Sequence, residues 1–122
     1  MLDHVAVNVR DFERSKAFYE AALGPLGYTL TTEWESGAGF ATRDGAPNFW
    51  VRTGETPSGP VHVAIRASNR ARVDAFYEAA MGAGGEDNGP PGLRPHYHEH
   101  YYAAFVHDPD GNNVEAVCHN PD

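Results

Sequence analysis

His4-Val5-Ala6-Val7 returns 58 residues later as His62-Val63-Ala64-Ile65, and the fold is read outward from that repetition. The same gapless offset carries Arg14 onto Arg72 and Gly24 onto Gly82. It also carries Ala17-Phe18-Tyr19-Glu20-Ala21-Ala22 onto Ala75-Phe76-Tyr77-Glu78-Ala79-Ala80. Eleven of the 21 positions from His4 to Gly24 are identical under the shift, where chance gives about one or two, so the chain is internally duplicated.

Each copy reads the same way. Residues 2–9 alternate, with Val5, Val7 and Val9 on one face of a strand and His4, Ala6 and Asn8 on the other. Asp11 is placed to cap a helix in the first copy and Asn69 in the second. Phe18 and Ala22, like Phe76 and Ala80, are spaced i and i+4, an apolar stripe to lie on a sheet. Gly24-Pro25 and Gly82 are stop signals. Strands follow at 39–43 and 48–52 about an Asp44-Gly45 turn. Others follow at 101–107 and 113–118 about Asp108-Pro109-Asp110-Gly111-Asn112. Residues 53–60 read as the joint between the copies, and Asn88-Gly89-Pro90-Pro91-Gly92 as an irregular loop at the sheet rim. The expectation is an α+β fold in one domain of 122 residues, built as two tandem β-α-β-β-β modules, 1–55 and 60–119.

Composition narrows the partners. Nine basic against 17 acidic residues give a net charge of −8, which argues against nucleic acid or an anionic membrane as the main partner. No apolar run approaches the ~20 residues of a membrane span, and the chain opens directly on a strand-like segment, so a cytoplasmic location is expected. Cys118 is the single cysteine, so neither an intrachain disulfide nor a thiolate cluster is available; it reads as a small buried apolar residue.

Seven histidines in so short a chain direct attention to metals. His4 and His62 begin two otherwise valine-rich strands, in register through a duplication whose other positions have diverged. Glu115 sits between Val114 and Ala116 in an apolar strand: either it faces solvent on an edge, or it is buried and needs a partner. Two imidazoles and a carboxylate around one divalent metal would leave coordination positions open for substrate. The run Arg94 to Tyr102 is the densest polar-aromatic stretch. His96, His98 and His100 would share a face if extended, suggesting a second metal site. The other reading puts the run at the mouth of a cleft, with His98 as an acid-base group and Tyr102 as a substrate contact, or as a solvated loop. Arg66, on the strand face of His62, either binds an anionic substrate group or pairs with an acidic side chain.

These residues resemble the vicinal oxygen chelate superfamily, which includes glyoxalase, fosfomycin-resistance and bleomycin-resistance proteins and extradiol dioxygenases. The resemblance spans the chain. Leu2-Asp3-His4-Val5 opens the first module, Gly59-Pro60-Val61-His62-Val63 the second, and Asp108-Pro109-Asp110-Gly111-Asn112-Asn113-Val114-Glu115 closes it. It implies paired modules curling into a curved mixed-sheet half-barrel cleft with helices outside. It also implies metal ligands at His4, His62 and Glu115, with zinc, nickel, manganese and iron equally open, and pairing into a homodimer.

The chain departs from the glyoxalase pattern at the fourth ligand. Aligning Asn48-Phe49-Trp50 with Asn113-Val114-Glu115 places Trp50 where glyoxalases carry a glutamate, and an indole N–H cannot bind a cation. Trp50 is then a wall of the cleft that packs on substrate, or sheet core. The resemblance implies a metal-dependent lyase or isomerase acting on a small oxygen-bearing substrate. The alternatives are a non-catalytic drug-binding protein of the bleomycin-resistance type and an iron dioxygenase.

Overall fold

The computed structural model describes residues 1–54 and 59–122. The middle of the expected joint, 55–58, lies outside them. The chain forms β1 (Val5–Asn8), α1 (Phe12–Leu23), β2 (Tyr28–Trp34), β3 (Gly37–Thr42) and β4 (Phe49–Arg52). There follow β5 (His62–Arg66), α2 (Arg70–Gly82), β6 (Glu86–Asp87), β7 (Gly92–Leu93), β8 (Tyr102–His107) and β9 (Asn113–Cys118). The helices begin where the sequence places their caps: the Asp11 carboxylate accepts from Arg14 N–H at 3.2 Å, and the Asn69 side chain from Arg72 N–H at 2.9 Å.

Among the described residues the result is α+β, with two open mixed sheets and two α-helices. One sheet runs β1-β4-β3-β2 and the other β5-β9-β8-β6, with β7 also on β8. In each, the first strand pairs in parallel with the last, β1 with β4 and β5 with β9, and the remaining pairs are antiparallel. The modules differ at their second strand. Where β2 is continuous over seven residues, its counterpart is broken into β6 and β7, which pair with opposite ends of β8. Pro90 and Pro91 lie in the interruption and have no N–H to give a ladder.

Both helices and the helix-facing sides of both sheets feed one core. Val7, Val9, Phe40, Phe49 and Val51 of the first module join Val106, Val114, Ala116 and Cys118 of the second around Phe18, Leu23, Val73 and Phe76. A polar clasp fixes the modules to each other. Asp108, 4% exposed in the β8–β9 turn, accepts from the Tyr19 hydroxyl of α1 at 2.5 Å, while Arg10 donates to Asp110 at 3.0 Å. Asp108 also accepts from the N–H groups of Asp110 and Asn112 and from the Asn112 side chain, so the turn is closed from within. Burial, then the Asp108 carboxylate, holds the Tyr19 phenol well above its ordinary range.

Because strand side chains alternate, the residues opposite this core form a second face on each sheet. On the first it carries Ala6, Asn8, Trp50 and Arg52; on the second, His62, Ala64, Arg66, Phe105 and Glu115. The candidate functional residues fall on these faces.

Candidate functional site

Glu115 is a carboxylate in the middle of an apolar strand and is 1% exposed. Its burial removes the solvent-facing reading and makes partners obligatory. Both oxygens have them: His62 Nε2 donates to Oε1 at 2.7 Å, and the Tyr101 hydroxyl donates to Oε2. Burial, followed by that bond to Glu115, raises the Tyr101 phenol, so it is a proton donor throughout the physiological range. The second module thus brings His62 and Glu115 together as the sequence expected, and adds Tyr101, which the sequence reading passed over.

Tyr102 is a correction. Its hydroxyl donates to Asp74 at 2.7 Å, and Arg70 lies over its ring at 5.1 Å, so it faces α2 rather than the cleft. β8 begins at Tyr102, and the chain parity at its entry gives the site to the neighbouring tyrosine.

The histidine run is turned rather than extended, which separates His96, His98 and His100. His98 instead meets His119, just beyond β9, with Nε2 to Nδ1 at 2.7 Å and the rings within 19° of parallel. The N–H of His100 donates to His98 Nδ1. With Nδ1 accepting from the backbone, Nε2 is the nitrogen of His98 placed to donate to His119. The Tyr101 ring lies edge-on to both imidazoles. His62, His98, Tyr101, Phe105 and Glu115 line one cavity of about 540 Å³.

His4 does not join this cluster. Its Nδ1 contacts Asp3 at 2.7 Å, and no group of three or more His, Cys, Asp or Glu side chains is arranged to hold a metal among the described residues. A single chain therefore does not assemble the three-ligand set, and the alternative of a second site on the histidine run is likewise not formed among the described residues. The reason lies in the sheets: His4 immediately precedes β1 and His62 opens β5, and these two edges of separate sheets border a cleft of about 330 Å³ without pairing. Arg66 also lines that cleft.

Trp50 does occupy the position equivalent to Glu115. Ala6 pairs with Trp50 and its repeat-mate Ala64 with Glu115, in the same parallel register. Trp50 lies on a second cavity of about 320 Å³, shared with His4, Trp34 and Arg52. Trp34 had no part in the sequence reading; a solitary exposed tryptophan near a strand end carries no periodic signal.

Among curated proteins no sequence matches the chain. Solved structures do. A glyoxalase/bleomycin resistance protein from Albidiferax ferrireducens T118 is 32% identical at a TM-score of 0.79, with 97% of this chain and 98% of that chain covered. A lactoylglutathione lyase from Agrobacterium tumefaciens shares the fold at 17% identity and a TM-score of 0.70, covering 97% and 92%. A fosfomycin resistance protein from Mesorhizobium loti does so at 20% and 0.69, covering 97% and 91%. Among the described residues no helix is long and apolar enough to cross a membrane. With residues 1–116 matching its family model, the chain belongs to the Glyoxalase/Bleomycin resistance protein/Dioxygenase superfamily.

Proposed function

We propose that the chain is a metal-dependent enzyme acting on a small oxygen-bearing substrate by proton transfer, with lyase or isomerase chemistry at His62 and Glu115. The observation that carries this reading is the buried carboxylate of Glu115 aimed at an imidazole nitrogen. The donor set suits a borderline divalent cation, since one nitrogen and one carboxylate oxygen face each other across a proton that a cation would replace. When bound, the cation would stabilise negative charge on substrate oxygen.

The chain's own residues supply the rest. The Tyr101 hydroxyl holds Glu115 Oε2 and leaves Oε1 to His62. His98 and His119, joined in line at 2.7 Å beside the same cavity, form a two-imidazole path along which a proton can be passed. His4 remains the third ligand of this reading. Since one chain keeps it apart, it must come from a second copy whose β1 lies against β5 of the first, which makes the enzyme a dimer.

The test is metal content by mass spectrometry on protein purified without a histidine tag and supplemented with several divalent ions. About one metal per chain is expected; a value below about 0.2 overturns the reading. Mixing His4→Ala with Glu115→Ala chains tests the shared site. Neither variant alone binds, whereas random re-pairing restores one intact site per mixed dimer, or about a quarter of all sites. The alternative, a protein that sequesters a small molecule without catalysis, draws support from the aromatic cavity of the first module. It predicts ligand binding unchanged by Glu115→Ala.

A further inference from the structure

The first module's open sheet face carries a structure with no counterpart in the second. Trp34 on β2 pairs in register with Gly37 on β3, and Trp50 on β4 with Gly39. A Cβ at Gly37 would stand 2.2 Å from the Trp34 ring, and one at Gly39 2.6 Å from the Trp50 ring. Both indoles therefore lie down across glycines, and no other residue type leaves room for them. Covering a strand glycine accounts for one surface of each ring. It does not account for the outer surfaces, which line the 320 Å³ cavity, or for Trp34 being 45% exposed.

The two rings pack on each other, 5.9 Å apart and tilted by 53°, and together wall the cavity, so a planar ring entering it meets an aromatic surface. One end of the cavity is cationic. Arg52 follows Trp50 on the same strand face, and its Nε donates to Asn8 Oδ1 at 3.0 Å. That bond orients the guanidinium and leaves its Nη1–Nη2 edge, whose parallel N–H groups match the two oxygens of a carboxylate. No carboxylate among the described residues pairs with Arg52. The acidic residue of the cavity, Asp3, is turned to His4 at 2.7 Å. The volume sits at the small end of the ~300–1,000 Å³ usual for ligand sites, suiting a single ring with a short substituent.

We infer that this groove is a binding subsite for a monocyclic aromatic carboxylate, its ring against the Trp34–Trp50 pair and its carboxylate on Arg52. The inference rests on the reading that this sheet face meets substrate, but it requires no bound metal. It names the substrate class of the proposed enzyme, or the ligand of a sequestering protein.

Trp34 and Trp50 are the only tryptophans, so fluorescence excited at the indole edge reports on this groove alone. Metal-free protein titrated with benzoate should show a saturable change in the millimolar range. Benzyl alcohol and cyclohexanecarboxylate, each lacking one of the two features, should bind at least about fivefold more weakly. Arg52→Gln, a surface change that leaves the core intact, should weaken benzoate by at least about fivefold while benzyl alcohol is unaffected. The inference is overturned if benzoate gives no saturable change, if cyclohexanecarboxylate binds as well, or if Arg52→Gln binds benzoate like the parent. A signal that follows protein concentration instead of benzoate would assign the groove to a second copy and also overturn it. Success here with no metal uptake would remove the metal enzyme and keep the subsite; the reverse outcome would do the opposite.

Discussion

Strands β4 and β9 stand in the same place in two copies of one module, each paired in parallel with a strand that began as the same sequence. At the position facing Ala6 the first copy has Trp50 beside Gly39; at the position facing Ala64 the second has Glu115 beside Phe105. Bulk and polarity have changed places. In the second module a phenylalanine fills the volume, and a small buried carboxylate turns to His62 and Tyr101. In the first, the strand neighbour has shrunk to glycine so that an indole can lie flat. Duplication preserved the scaffold and its core-facing side, while the opposite faces diverged: one gathers His62, Tyr101 and Glu115, and the other builds an aromatic surface.

The sharpest way to break this division is Glu115→Ala. If the second module is the polar one, metal affinity should fall by at least about 100-fold, beyond the 10–100-fold typical of groups that only orient ligands. Trp50→Ala should leave metal affinity within about threefold, as an indole is no ligand; isothermal titration with Zn²⁺ measures both. Equal losses would dissolve the distinction between the faces.

The clasp tests whether the modules depend on each other. Asp108→Ala strands the Tyr19 hydroxyl and the Asn112 amide in the interior and should cost about 3 kcal/mol in urea unfolding. The same bond carries a pH signature. The Tyr19 phenol is raised in the fold, so its contribution is complete below the ordinary phenol range near ~10 and is lost as pH rises towards the folded value. Stability should therefore decline above about pH 10, and less steeply in Tyr19→Phe.

Smaller effects separate the two surfaces further. Gly39→Ala must push the Trp50 ring aside and should cost about 1–3 kcal/mol together with a shift in tryptophan emission. The caps should show no such asymmetry. Asp11→Ala and Asn69→Ala should each cost about 1 kcal/mol in thermal unfolding, because the two helices start by the same device.

Much of this was legible before any coordinates. Periodicity and the repeat give the α+β modules, the caps and the alternation of strand faces, because these are local consequences of 3.6- and 2-residue periods. Glu115 could be singled out because a carboxylate among Val114, Ala116 and Val117 is costly unless partnered. Tyr101 could not be preferred to Tyr102, since one residue of register at the start of β8 exchanges the two faces. His119 was overlooked because its partner His98 is 21 residues away and the approach depends on a turn. Trp34 depends on a register shift in β2 between Leu30 and Thr32 that no alternation pattern announces.

The sequence by itself determined the duplication, the elements and the equivalence of His4 with His62 and of Trp50 with Glu115, because each follows from spacing along one strand or helix. Only the tertiary structure decided which of these residues meet. Both helices and both sheets close on one shared core, with the clasp from Tyr19 to Asp108 holding the modules together. That packing leaves β1 and β5 as edges of separate sheets, so His62 finds Glu115 while His4 is left to Asp3. Equivalence in sequence is a matter of period; proximity is set by how apolar faces are buried.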